Sequence, residues 1–340
     1  MTITNRKITL AERPKGMPDE QTFEFKSEKI TEIQQGEILL RTLYVSVDPY
    51  MRGRMVNAES YIEPFELNKV IEGGAIGEVI ESKSNRFEPG DIVIGNFGWQ
   101  EYYVAQENDI RKIDPSVAPI TTHLGILGMT GLTAYFGLLD IGQPKEGETV
   151  VISGAAGSVG STVGQIAKIK GARVVGIAGS DEKIQFLIDE LGFDKGINYK
   201  TTKDLKKDLK QACPDKVDVY FDNVGGEVSD AVMTQLNTFA RIPVCGAISS
   251  YNLEAPDLGP RVQTTLIKKS ALMQGFTIGN YTDRFKEGAM QLGKWLQEGK
   301  LNYRETIVEG FDNIPDAFLD LFKGNNIGKL LVKVADQESK

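Results

Sequence analysis

The sequence predicts an α/β protein in two parts, a doubly wound parallel sheet attached to a β-rich domain. Three observations carry this. Residues 1–128 hold short strand-like runs broken by Gly, Pro and Asp, with weak helical periodicity. From Glu148 onward, strand and helix patterns alternate, which marks βαβ units and a parallel sheet. The last residues, "ETIVEGFDNIPDAFLDLFKGNNIGKLLVKV", finish in a strand-like run that returns to complete the first domain. The expected domains are therefore residues 1–128 plus 313–340, and residues 129–312.

In the first part, "GEILLRTLYVSVDP", "GAIGEVIES", "DIVIGNFGWQEYYVAQ" and "IRKID" read as strands, with "FEPGD" as a turn feeding one of them. Helical patterning begins near Ile120 in "THLGILGMTGLTAYFGLLDIG". The second part runs through strand "TVVIS", helix "VGSTVGQIAKIKG", strand "RVVGIAG" and helix "DEKIQFLIDELG". Strand "KGINY", helix "KDLKKDLKQAC", strand "VDVYFDNVG", helix "VSDAVMTQLN" and strand "RIPVCGAIS" follow. A Pro- and Gly-rich segment, residues 252–260, interrupts the rhythm. A further strand in "IKKSALMQGFTIG" and the helix "RFKEGAMQLGKWLQEG" come after it.

Composition narrows the function. A net charge of −8 with no offsetting basic block argues against nonspecific nucleic-acid binding. The N-terminus has no apolar signal region and no run of 18 apolar residues occurs, so no membrane span is expected and a cytoplasmic location is. Two cysteines and one histidine cannot form a disulfide framework, and they offer just three Cys and His residues toward a zinc site that needs three or four ligands. A Ser-His-Asp hydrolase would have to be built on His123 alone, which sits among apolar and small residues and reads as a packed structural side chain.

One turn points to a ligand. After Thr149–Ser153 the chain reads Gly154-Ala155-Ala156-Gly157-Ser158-Val159-Gly160 and enters a helix. Glycines there allow a tight turn, close approach of backbone N–H groups to a pyrophosphate, and close helix–strand packing. The spacing is G-x-x-G-x-x-G. Between a strand and an amphipathic helix, inside an alternating unit, it predicts dinucleotide binding and a Rossmann sheet.

The next strand ends in "IAGSDEK", residues 177–183. A carboxylate at the strand end would accept hydrogen bonds from the ribose 2′-OH of NAD and repel the 2′-phosphate of NADP. Gly179 and Ser180 leave space instead. Ser180 can donate a hydrogen bond or cap the following helix, and Lys183 can place a point charge on a phosphate. Asp181 and Glu182 fall past the strand, as first-turn residues that favour the helix dipole. The expected cofactor is NADP(H).

"SGAAGSVGS", "GSDEK", "YFDNVGGE", "CGAISSYN" and "VDPYMRGRM" together resemble the medium-chain dehydrogenase/reductase superfamily, over essentially the whole chain. Within it they are similar to the zinc-independent branch of prostaglandin, alkenal double-bond and curcumin-type reductases. The resemblance implies a GroES-like first domain and a homodimer, with the last sheet strand near residues 271–277 pairing across a two-fold axis. It places Gly154–Gly160 on the pyrophosphate, with Ser180, Lys183 and Tyr199 at the 2′-phosphate. It places Asn223 near the nicotinamide ribose, and Cys245, Gly246, Ala247, Ile248, Ser249, Ser250 and Tyr251 along the nicotinamide. Phe276, Thr277 and Ile278 fall near the carboxamide, and Asn326 near the cofactor. Tyr50 lines the substrate side from the first domain, where Asp48 and Arg52 are read as a structural ion pair. No metal ligand set is implied.

Without a metal or a usable histidine pair, the chemistry must be one the cofactor drives almost unaided. Reduction of a carbon–carbon double bond conjugated to a carbonyl fits. Hydride goes to the β-carbon, and Tyr251 in "ISSYN" is the candidate donor to the developing enolate oxygen, since a phenol donates while neutral at pH 7. The expected substrate is a small enone or alkenal. A quinone reductase of the same superfamily and a catalytically idle NADPH-binding protein are the alternatives.

Overall fold

The computed structural model describes residues 2–337. The chain divides into two compact units. One comprises the residues up to Leu124, with Glu305–Asn326 and the residues from Leu330; the other comprises Gly125–Arg304 with Ile327–Lys329. The boundaries differ from the expected 128/129 and 312/313 for two reasons. Leu124 packs in the first unit with Leu43, Ile76 and Ile92, whereas Ile126 packs in the second with Leu132 and Phe136. The returning segment begins at Glu305, because Glu305–Glu309 is itself a strand of the first unit's sheet. Met1 and residues 338–340 of the expected first domain lie outside the described residues.

In the first unit, β1 (Ile3–Leu10) pairs antiparallel with β2 (Phe23–Ile30). A second sheet uses β3 (Glu37–Ser46), β4 (Ala75–Ser82), β5 (Ile92–Gly95), β6 (Tyr102–Gln106) and β7 (Ile110–Lys112). Its order is Glu305–Glu309, Lys329–Lys333, β3, β4, β5, β7, and β6 pairs with the first half of β3. Trp99 is fully buried between the rings of Phe23 and Phe318, each 5.7 Å away centroid to centroid. The loop after β3 leads into a short helix, α1 (Met51–Arg54). The buried Arg52 guanidinium donates to the Gly16 carbonyl at 2.7 Å, and Asp48 accepts from the Ser46 hydroxyl.

The second unit holds six parallel strands: β8 (Thr149–Ser153), β9 (Arg173–Ala178), β10 (Lys195–Asn198), β11 (Val217–Phe221), β12 (Leu236–Val244) and β13 (Leu272–Gly275). Their order is β10-β9-β8-β11-β12-β13, every pair parallel. This is the doubly wound Rossmann arrangement. Its helices are α2 (Met129–Phe136), α3 (Ser158–Ile169), α4 (Asp181–Gln185), α5 (Leu205–Ala212), α6 (Gly226–Met233), α7 (Gln263–Lys269) and α8 (Phe285–Gln297).

Period-two alternation sorts the strands onto two faces. Val150, Ile152 and Val174 pack with Val163 and Ile166 of α3. Val151, Val175 and Ile177 pack with Leu209 of α5 and Val232 of α6 on the other face. Strands covered on both sides need no polar face, which is why "TVVIS" is apolar almost throughout. The order reverses between β8 and β11. Ligands of such sheets bind outside the carboxyl ends of the strands at that reversal, and the Gly154 turn, Gly179, Asn223 and Cys245 follow the carboxyl ends of β8, β9, β11 and β12.

Candidate functional site

The turn after β8 is closed by contacts that exclude side chains. Gly154 takes a left-handed φ of +59°. A Cβ on Gly160 would lie 2.5 Å from the Gly154 carbonyl oxygen and 2.8 Å from the Ala155 Cα, so α3 starts flush against the turn. Gly157 is the N-cap and offers no side chain to the first-turn N–H groups. Those donors and the helix dipole are left to an anion. Ala155 and Ala156 are buried beneath the turn, and Val159 packs against the core. The Ser158 and Thr130 hydroxyls share a hydrogen bond of 2.7 Å. The Gly328 N–H donates to the Ala156 carbonyl at 2.8 Å, which pins the turn from its other side.

At the end of β9 the chain opens a notch. A Cβ on Gly179 would come within 3.1 Å of the Tyr199 ring and 3.2 Å of the Lys200 Cε, so these two residues wall it. Ser180 caps α4, its Oγ accepting from the Lys183 N–H at 3.2 Å. The cap uses a lone pair and leaves the hydroxyl proton to donate. Asp181 is turned aside, accepting from the Asn198 amide at 2.7 Å. Burial, and then repulsion by Lys200, holds the Lys183 ammonium below the usual lysine range. Two cations that repel each other across an uncharged notch favour an anionic group between them.

The third part lies at the ends of β11 and β12. Asn223 donates from its side chain to the Ser153 carbonyl at 2.8 Å and from its N–H to the Ser153 hydroxyl at 2.9 Å, tying the end of β11 to that of β8. Residues 245–251 then fold over this edge. The Ser249 hydroxyl donates to the Val224 carbonyl at 2.6 Å. The Tyr251 hydroxyl accepts from the Ala247 N–H at 3.2 Å and lies against Gly246, where a Cβ would meet it at 3.1 Å. Ile248–Ser250 form one 3₁₀ turn. Burial pushes the Tyr251 phenol above its ordinary value, with smaller contributions from Cys245 and Asp222. Its proton stays in place as a donor.

The remaining predicted residues are placed as follows. The Phe276 ring packs edge-on to Phe221 and directly over Gly137, so it belongs to the core and leaves only its backbone at the edge. The Thr277 N–H donates to the Asn280 side chain at 2.9 Å, and Ile278 packs on the same core. Asn326 immediately precedes Ile327–Lys329, whose Gly328 bridges Gly157. Tyr50 sits in the first unit as the N-cap of α1. Burial, and then Asp48, pushes its phenol well up.

Sequence reasoning missed two participants. Lys200 stands in the polar turn "NYKTTK", where a lysine reads as a solvated residue, and only the parallel pairing of β10 with β9 brings it to the notch. Asp222 precedes Asn223 and is buried, a place where a strand-end acid reads as exposed. The neighbouring Gly225 and Gly226, both at positive φ, were the available signal of a tight turn folding back on it.

Residues 6–113 match the family model of the N-terminal domain of oxidoreductases, and residues 158–295 that of the zinc-binding dehydrogenases. The chain is 66% identical over 338 residues to YfmJ of Bacillus subtilis, with 99% of each chain covered. It is 45% identical over 339 residues to the NADPH-dependent curcumin reductase of Escherichia coli, with 98% of each covered. The crystal structure of CurA in complex with NADPH from Vibrio vulnificus superposes with a TM-score of 0.92 at 46% identity, covering 97% of this chain and 99% of that one. The chain belongs to the medium-chain dehydrogenase/reductase family, in its zinc-independent branch.

As a member of that family it is an NADPH-dependent oxidoreductase. The residues fit a phosphorylated dinucleotide, with a turn a Cβ would fill, an uncapped helix and a notch carrying two lysines. Other relatives are named prostaglandin reductase and 2-alkenal reductase. The described residues contain no cluster of three or more His, Cys, Asp or Glu able to hold a metal ion. No helix among them is long and apolar enough to cross a membrane.

Both cysteines are free, and burial raises their thiols, Cys213 to about 11 and Cys245 to about 12, the latter with help from Asp222. In the unfolded chain they ionise near 9. The protonated fold is therefore fully favoured below pH 9 and loses this contribution as pH climbs toward 12. Iodoacetamide at pH 8 is expected to leave both thiols of the native protein largely unmodified and to label both after unfolding in urea, read by intact mass. Rapid native labelling of Cys213 would contradict its burial.

Proposed function

We propose that the enzyme reduces the carbon–carbon double bond of α,β-unsaturated aldehydes and ketones. NADPH supplies a hydride to the β-carbon. The protein's part is to hold the reduced ring at the ends of β11 and β12 and to meet the charge that develops on the carbonyl oxygen. Tyr251 is the donor. The observation that carries this role is the Tyr251 hydroxyl itself. It accepts from the Ala247 N–H, is shielded and stays protonated, so its one proton can be given to an enolate oxygen. The α-carbon then takes a proton from water, and no strong general acid is needed. Curcumin, the compound in the name of the Escherichia coli relative, contains carbonyl-conjugated double bonds.

In this reading residues 154–160 hold the pyrophosphate, and Ser180, Lys183, Tyr199 and Lys200 hold the 2′-phosphate. Asn223, residues 245–251, the backbone of 276–278, and Asn326 line the rest of the cofactor, and Tyr50 is read as a substrate contact. An NADPH consumer with free cysteines fits the cytoplasm. We further read the chain as a homodimer joined along β13. That strand is the sheet edge, and Leu272 on it, with Ile267 on α7 and Leu258 before it, is exposed.

Four measurements test this. Assayed side by side, alkenals and enones should be turned over with NADPH and much less with NADH; activity confined to quinones would overturn the substrate class. Tyr251→Phe should lower kcat on enones 10- to 100-fold, roughly 1.4–2.8 kcal/mol of transition-state stabilisation. Lys183→Ala and Lys200→Ala should each weaken NADPH binding about tenfold, near 1.4 kcal/mol, and leave NADH binding unchanged. Sedimentation equilibrium should return twice the chain mass of 37.4 kDa, and Leu272→Lys should shift it toward the monomer.

A further inference from the structure

Asp222 is 2% exposed, at the point where β11 gives way to the loop beneath the proposed nicotinamide position. Its Oδ1 accepts from the N–H groups of Val224 at 3.0 Å and Gly225 at 2.9 Å, and from the hydroxyls of Ser153 at 2.9 Å and Tyr220 at 2.8 Å. Among the described residues no lysine, arginine or histidine pairs with it. Its main chain staples two strand ends: the N–H donates to the Pro243 carbonyl at 3.0 Å, and the carbonyl accepts from Cys245 at 2.8 Å and Gly246 at 3.1 Å.

A staple alone does not require a carboxylate. An asparagine carbonyl could receive the same four donors, since all of them end on one oxygen. What aspartate adds is a charge, and burying a charge without a cation is costly. Neutral dipoles hold that charge without cancelling it, so its field extends to its surroundings. Both groups that line this edge register it, since Asp222 helps push up the Cys245 thiol and the Tyr251 phenol.

We propose that Asp222 is a fixed buried anion that makes the site favour the oxidised, cationic nicotinamide over the reduced, neutral one. Loss of a hydride to the substrate takes the ring from neutral to a single positive charge, so an anion beneath it makes bound NADPH a stronger hydride donor than free NADPH. No bond forms at Asp222 and no further reactant is involved. It acts as a positioning residue with an electrostatic effect, and the inference depends on the nicotinamide lying at the ends of β11 and β12.

The test is binding, without turnover. Dissociation constants for NADP+, NADPH and 2′-phospho-ADP-ribose, which lacks the nicotinamide, are measured by calorimetry on the native protein, Asp222→Asn and Tyr220→Phe. Asp222→Asn keeps the acceptor and removes the charge. It should raise the ratio Kd(NADP+)/Kd(NADPH) about tenfold, equivalent to about 1.4 kcal/mol, whereas Tyr220→Phe should leave that ratio within twofold. A folded Asp222→Asn protein with an unchanged ratio overturns the proposal. A native protein holding NADPH more than tenfold tighter than NADP+ overturns it too, even if the variant does not fold. If the native protein binds all three ligands equally, the nicotinamide is not seated here, and the site assignment fails along with the inference.

Discussion

A helix has to begin in van der Waals contact with the end of a buried strand, and the rest of the second unit is organised around that approach. Gly160 against the Gly154 carbonyl sets the distance, and no residue with a Cβ fits without moving backbone. Because α3 starts so close to β8, its amide donors stand at the sheet's topological switch instead of being capped by a side chain. The adjacent strand ends lie beside it in the sheet. β9 contributes the cationic notch and β11 with β12 the edge under Tyr251.

The β9 notch and the β11–β12 edge differ in their chemistry. At the notch Lys183 and Lys200 repel each other, and Asp181 is turned aside to Asn198. At the edge a carboxylate is buried among neutral donors. A dinucleotide with a phosphate at one end and a ring that becomes cationic at the other is complementary to this polarity. The notch is built from side-chain cations, whereas the β11–β12 edge is held by hydrogen bonds among strand termini.

Much of this was legible in the sequence because it follows from local rules. The alternation after Glu148, the glycine spacing and the missing strand-end carboxylate each have one simple physical cause, and the parallel sheet, the turn and the notch follow from them. What escaped depends on contacts between distant segments. Lys200 reaches the notch only through the register of β10 on β9, and Asp222 gains its Ser153 donor only through the pairing of β8 with β11. The return of the chain at Glu305 was hidden for a similar reason. "ETIVE" is five residues long and half exposed, so its hydropathy does not distinguish it from a connecting loop.

The interrupted course of the first unit also orders events on the ribosome. Tyr44, Val45 and Ser46 pair with Leu331, Val332 and Lys333, which are synthesised only after Gly125–Arg304 of the second unit. The Rossmann unit, nearly continuous from Gly125 to Arg304, can therefore consolidate while the first unit still carries an open sheet edge. That edge is closed only when the C-terminal segment leaves the exit tunnel. Nascent chains stalled before residue 329 would expose it, and an unpaired edge of this kind is prone to aggregate.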